Sequence, residues 1–364
     1  STRVRSSAAS DVYKRQDYMR ISVIDSCNLN CYYCNPCDNN EHCHALNILS
    51  VKEVLCIVRA ATRLGIKHFR LTGGEPLLHP QLDEMVLQIK KIPGVSSVSL
   101  TTNAVLLAQH AKWLKEAGID SINVSLDTID ASEYEHITKK PLLDKVEHGI
   151  DAAIECGIRV KINVVLTPQT DVVALTRYAS KKGTDIRFIE MMPVGEGHTN
   201  GVEPYEKVIG ALLEVYGTPC HIDTENREEI NSGYNNADNG PAEYYSFHGL
   251  DIRVGLIQAI HGKFCDTCNR IRVTADGRLM PCLGSSVTMD LVPDSCEFTD
   301  DLEKDFVIAQ ALKAAIKAKP GCHNFNDNAV SYTKTTETKT VETKTTELKA
   351  AEVNAARNMS RIGG

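Results

Sequence analysis

Asp25-Ser26-Cys27-Asn28-Leu29-Asn30-Cys31-Tyr32-Tyr33-Cys34 is the stretch around which the rest of the chain is read. Its cysteines are spaced Cys-x3-Cys-x2-Cys. They follow a short apolar alternation, Met19 to Ile24, that reads as a β-strand. Three thiolates on a loop after a strand can hold three irons of a 4Fe-4S cube. The fourth iron is then open, because such clusters ordinarily take four cysteines. A zinc loop or scattered free thiols are the alternatives, although structural zinc sites use four ligands in paired halves.

The chain has 364 residues, 42% of them hydrophobic, enough for one large core or two modest ones. A net charge of −7 gives no overall basic field for nucleic acid. No apolar run is long enough to span a membrane, and no apolar leader opens the chain, so neither membrane nor export is expected. Thirteen cysteines without an export signal point to metal ligation in a reducing cytoplasm rather than to disulfides. Cys56 and Cys156 lie within helical patterns and read as core residues, whereas Cys37 and Cys43 lie near the first motif without its spacing.

Residues 1–16 are polar, without periodicity, and are set aside as a tail or remnant. Beyond them strands and helices alternate. Strand-like runs are Arg20–Ile24, His68–Leu71, Ser97–Thr101, Ser121–Ser125, Arg159–Val165 and Asp185–Glu190. The helical patterns between them start after Ser50, a plausible N-cap, and continue through Leu82–Ile89, Leu107–Ala117, Leu142–Cys156 and Val172–Ala179. Gly65, Gly118, Gly157 and Gly183 stand where C-terminal glycines belong. Six βα repeats predict an α/β fold, an incomplete (β/α)6 TIM-type barrel. Its functional groups should gather at the C-terminal strand ends. Each such end is polar: the cysteine loop, Thr72-Gly73-Gly74-Glu75-Pro76, Thr101-Thr102-Asn103, Ser125-Leu126-Asp127, Lys161 with Asn163, and Arg187 with Glu190 and Met192.

The barrel is expected over residues 17–230, and a C-terminal α+β unit over 231–325. A low-complexity threonine-rich spacer then occupies 326–350, and a tail, 351–364, ends in Gly363-Gly364. The α+β unit carries Cys265, Cys268 and Cys282, spaced Cys-x2-Cys-x13-Cys, with an Asp276-Gly277 hairpin signal between the last two. A second open cluster is the favoured reading. A zinc ribbon would need a fourth ligand, for which His261 is the near candidate. Arg270 and Arg272 share one side of a predicted strand, and two guanidinium forks beside a cluster suit a polyphosphate. Arg20, Arg70, Arg187 and Lys161 can add to that patch. For any single arginine, a surface salt bridge is the plain alternative.

Together these motifs resemble the radical S-adenosylmethionine (SAM) superfamily and, within it, the GTP 3′,8-cyclase family of molybdenum-cofactor biosynthesis. The resemblance covers roughly residues 17–325 and the last seven residues. It implies that Cys27, Cys31 and Cys34 hold a SAM-cleaving 4Fe-4S cluster, and that Tyr33, Gly74, Ser125 and Met192 line the SAM site. Cys265, Cys268 and Cys282 would hold a second 4Fe-4S cluster facing the guanine. Arg20, Arg70, Thr101, Lys161, Arg187, Arg270, Ile271 and Arg272 would hold GTP, with Arg270, Arg272 and Lys161 in the catalytic set. Gly363 and Gly364 would reach into the site. Reductive cleavage of SAM would give a deoxyadenosyl radical that takes hydrogen from C3′ of the ribose, and C3′ would then bond to C8. A reductant protein and, downstream, cyclic pyranopterin monophosphate synthase are the implied partners. The chain would act as a monomer or homodimer.

Ser26, Asn35 and Ala104 depart from the family's usual Arg, Met and Gly; at Ala104 the turn is therefore expected not to require positive φ. Two rival readings remain at this stage: another two-cluster radical SAM enzyme, such as a peptide-modifying maturase, and a non-catalytic structural metal protein.

Overall fold

The computed structural model describes residues 16–34, 47–192, 205–222, 240–262, 264–284, 288–291 and 301–322. The Gly363-Gly364 terminus, the threonine-rich spacer, Cys37, Cys43 and residues 1–15 lie outside that set. Gln16, assigned to the tail from sequence, is part of the fold and buried.

The six βα repeats are present. Strands β1 (Tyr18–Ser22), β2 (His68–Thr72), β3 (Ser97–Thr102), β4 (Ser121–Ser125), β5 (Arg159–Val165) and β6 (Asp185–Ile189) pair in parallel, in chain order. Helices α1 (Val51–Arg63), α2 (Leu82–Lys90), α3 (Leu107–Glu116), α4 (Ala131–Thr138), α5 (Leu143–Glu155) and α6 (Val172–Lys182) fall between them, and α7 (Tyr205–Tyr216) follows. Ser50 caps α1 in a reciprocal box with Glu53, as its sequence foretold. Helix α4 was not anticipated. It is short, with few apolar positions, and is set by Asp130, which accepts the Glu133 amide at 2.8 Å.

The C-terminal region adds β7 (Cys220–Ile222), β8 (Glu243–Ser246), β9 (Val254–Ile257), β10 (Arg270–Val273), β11 (Arg278–Met280) and β12 (Met289–Asp290), then α8 (Asp301–Lys317). Its strands extend the first sheet at both edges. β10 pairs in parallel with β1, and β9 in parallel with β6. Antiparallel partners complete the order β12-β11-β10-β1-β2-β3-β4-β5-β6-β9-β8-β7. The two outermost strands do not pair with each other, so the sheet is open.

Most parallel sheets bury both faces and read as continuous apolar runs. Here the strands alternate, as in YMRIS, HFRLT and RVKINVV. With a period of two, one face carries Met19, Ile21, Phe69, Leu71, Ile122 and Ile162, all fully buried in the core. The other face carries arginine, lysine, asparagine and hydroxyl side chains. A polar face within a parallel sheet marks the side on which a ligand can be held.

Ala104 has φ of 63°, so the turn after β3 does require the left-handed region, contrary to the sequence expectation. Alanine bears the strain that glycine would avoid. Helix packing fixes this turn: a Cβ on Gly149 of α5 would stand 2.4 Å from the Ala104 carbonyl oxygen.

Candidate active site

The first cysteine loop leaves β1 and is held from three sides. Gly74 and Glu75 donate their amides to the carbonyls of Ile24 and Ser26 at 2.8 and 2.7 Å. A Cβ on Gly74 would lie 2.2 Å from the Ser26 oxygen, so glycine here answers close backbone approach. Asn30 and Tyr32 donate to the carbonyls of Thr138 and Ile137, groups that the end of α4 leaves without helical partners. Asn103 binds Asn28 Oδ1 at 2.7 Å and approaches Cys27 Sγ at 3.8 Å.

Two carboxylates brace this loop, Glu75 fully buried and Asp127 half-buried. Glu75 accepts from Leu77 N, Thr102 Oγ1 and Asn103 N at 2.9, 2.7 and 2.7 Å. Asp127 accepts the Tyr33 hydroxyl at 2.5 Å and the Val165 amide at 2.8 Å. Ser125 ends β4 opposite Asn163, and Met192 lies half-buried beyond β6. Burial, then the charges of Asp127, Cys34 and Cys27, push the Cys31 thiol up to about 12. Burial also raises Cys27 and Cys34. Thiols held protonated in this way release their protons to solvent when a metal centre binds the thiolates. Its donor set is all sulfur, which fits iron–sulfur ligation.

The second cysteine group sits at the opposite edge of β1. Cys265 and Cys268 bracket a single helical turn before β10, and the β10–β11 hairpin, with Arg272 opposite Met280, carries the chain back to Cys282. Lys319, beyond α8, reaches Cys268 Sγ at 3.4 Å. Burial would raise the Cys268 thiol, but Lys319 and Arg270 outweigh it and the net shift is downward. Among the described residues, no three His, Cys, Asp or Glu side chains form a group that would hold a single metal ion. His261 engages Glu190 Oε1 through Nδ1 at 2.8 Å. Glu190 also accepts the Ile260 and His261 amides, so it fixes the approach to the second cysteine group.

Between the two cysteine groups runs the polar face. Arg272, Arg20 and Arg70 stand in register on adjacent strands, followed by Ser99, Ser121 and Arg159. A second row aligns Thr101, Asn123, Lys161 and Asp185, and a third Ser125, Asn163 and Arg187. Arg70, Lys161 and Arg187 are buried. Arg187 Nε binds Asn163 at 2.9 Å, and Arg70 Nε binds Ser99 at 3.1 Å. Buried donors on Arg20, Arg187 and Arg270 have no hydrogen-bond partner. Burial, then the charges of Arg272, Arg70 and Arg270, pulls the Arg20 guanidinium well below its ordinary value, with Tyr18 opposing. Ile271 does not join this face. Its side chain is buried in the core on the other side, leaving only its backbone to a ligand. Asp127, Lys319 and Gln16 were not picked out as site residues from sequence. Asp127 lies in a polar strand end that could have flagged it, whereas Lys319 and Gln16 matter only through partners far along the chain.

Residues 21–176 match the Radical SAM superfamily, and residues 184–325 match Molybdenum Cofactor Synthesis C. A GTP 3′,8-cyclase of Clostridium perfringens is 36% identical over 320 residues, covering 86% of this chain and 94% of the relative. One from Pelotomaculum thermopropionicum is 37% identical over 322 residues, with the same coverage. Among solved structures, Streptococcus suis SuiB bound to S-adenosylmethionine superposes with a TM-score of 0.56 at 15% identity, over 85% of this chain and 70% of that one, a likeness of fold alone.

Proposed function

The chain belongs to the GTP 3′,8-cyclase family of the radical SAM superfamily, and from that premise we propose how its own residues serve the reaction. The activity is the radical SAM cyclisation of GTP that opens molybdenum-cofactor biosynthesis. Cys27, Cys31 and Cys34 hold the 4Fe-4S cluster, and Cys265, Cys268 and Cys282 hold a second. Bound cluster and SAM supply the one-electron chemistry. The protein's part is to bind, orient and exclude water.

Tyr33, Gly74, Ser125 and Met192 form the SAM side of the site, braced by Asp127 and Glu75. The in-register row Arg272, Arg20 and Arg70 takes the triphosphate, and this row carries the reading. Adjacent strands lie about 4.8 Å apart. The Arg272 and Arg70 charges both disfavour the Arg20 guanidinium, so the row is mutually repulsive without a ligand. A polyanion turns that repulsion into binding. Lys161 and Arg187 hold the nucleotide further along, and Thr101 donates from β3. The arginine row gives a peptide substrate no comparable reason to bind. A reductant protein supplies electrons, cyclic pyranopterin monophosphate synthase takes the product, and the enzyme works in a reducing cytoplasm.

Anaerobic calorimetry tests the substrate assignment. GTP should bind well, guanosine at least tenfold more weakly, and the difference should shrink with salt as screening rises. Equal affinity for guanosine would overturn the assignment of the arginine row.

A further inference from the structure

We propose that Lys319 is a positioning residue that seats Cys268 and raises the reduction potential of the cluster held there. The inference rests on the two-cluster reading above.

Lys319 is placed by helix α8. That helix is pinned to α1 by Asp305, whose fully buried carboxylate takes Arg59 Nε at 2.8 Å and Arg63 at 3.4 Å. Pro320 follows Lys319, so the chain turns away there. The ammonium points at the start of β10. It lies 2.8 Å from the Cys268 carbonyl, 2.8 Å from the Arg270 carbonyl, 2.9 Å from Gln16 Oε1 and 3.4 Å from Cys268 Sγ. The Asn269 carbonyl between these two accepts from Tyr18 on β1. Pairing with β11 begins only at Arg272, so the Cys268 and Arg270 carbonyls precede that ladder. Lys319 fills that position. Gln16 closes the group by donating Nε2 to the Cys268 carbonyl at 3.1 Å.

An ammonium has three protons, and here it meets three oxygens and one sulfur. Its charge is therefore held against the ligand sulfur by backbone that cannot move away independently. Reduction adds negative charge to a cluster, and hydrogen bonds and net charge at its sulfurs set its potential. A fixed cation stabilises the reduced form more than the oxidised one. A plain structural splice between α8 and β10 would hold the same oxygens but leave the potential alone.

The test uses the full chain with Cys27, Cys31 and Cys34 replaced by alanine, reconstituted anaerobically, so that only the second triad can retain a cluster. Iron content and the midpoint potential, followed by electron paramagnetic resonance, are compared for Lys319, Lys319→Arg and Lys319→Met. Lys319→Met should keep its iron and shift to lower potential, with Lys319→Arg close to the parent. Lys319→Met at the parent's potential with the parent's iron overturns the inference. Should Lys319→Met lose its cluster or fold poorly, Gln16→Leu decides. It removes one oxygen competitor and keeps the charge, so the potential should rise; an unchanged value overturns the inference. A parent that retains no iron, while the reciprocal Cys265, Cys268 and Cys282 replacement does, defeats the two-cluster reading and this inference with it.

Discussion

Tyr33 donates its hydroxyl to Asp127 Oδ2 at 2.5 Å, so the cysteine loop after β1 is tied to the end of β4. Through its other oxygen the same carboxylate takes the amide of Val165, at the end of β5. Asp127→Ala leaves two donors without an acceptor. It should cost about 1–3 kcal/mol of stability, lower the iron retained by the first triad, and raise KM for SAM. Tyr33→Phe removes one donor together with its bond and should cost less. Chemical denaturation and iron analysis check both.

Burial raises the Asp127 carboxyl above its ordinary value, outweighing the bonds from Tyr33 and Val165. The folded state therefore holds that proton more tightly than the unfolded chain does. Its contribution to stability is fully present below the unfolded value and is lost as pH rises through the folded one. Asparagine does not titrate. In cluster-free protein, the stability difference between parent and Asp127→Asn should be largest at acid pH and shrink towards neutrality. Glu75, also raised by burial, should give Glu75→Gln the same trend.

Gly74→Ala should disable the first cysteine loop, because the new methyl meets backbone, not a flexible side chain. Overpacking of this kind costs about 1–3 kcal/mol. Loss of iron from the first triad, with the second retained, is the expected readout.

Ala104 gives a contrasting pair. Glycine there would relieve about 1–2 kcal/mol of left-handed strain. It would lose about 0.8 kcal/mol of buried methyl and about 0.5–1 kcal/mol to chain entropy. Ala104→Gly should thus change stability by less than about 1 kcal/mol. Ala104→Val, branched at positive φ, should cost several times more. Thermal melts distinguish them.

Arg20→Met should separate stability from function. Removing a half-buried cation from beside Arg70 and Arg272 should stabilise the ligand-free protein. It should also weaken GTP by roughly 10- to 100-fold, the loss of a charge-assisted contact worth about 1.5–3 kcal/mol.

Much of this was legible in the sequence because it is local. Cysteine spacing, the Gly-Gly-Glu-Pro turn and period-two alternation placed both cysteine groups and the six parallel strands. What was not legible depends on pairing across the chain. No local pattern brings β10 beside β1, so the in-register row of Arg272, Arg20 and Arg70 emerges only from the sheet order. Ile271 lies between two site arginines, but the same alternation turns its side chain to the core, so only its backbone is left to meet a ligand. Ala104 keeps a glycine's conformation because α5 holds its carbonyl in place, a tertiary cause.

The most direct test is an anaerobic assay of the reconstituted protein with dithionite and SAM, with and without GTP. The account predicts that 5′-deoxyadenosine rises with GTP and that a 3′,8-cyclised GTP forms alongside it. Deoxyadenosine indifferent to GTP, from protein holding its full iron, would contradict the account.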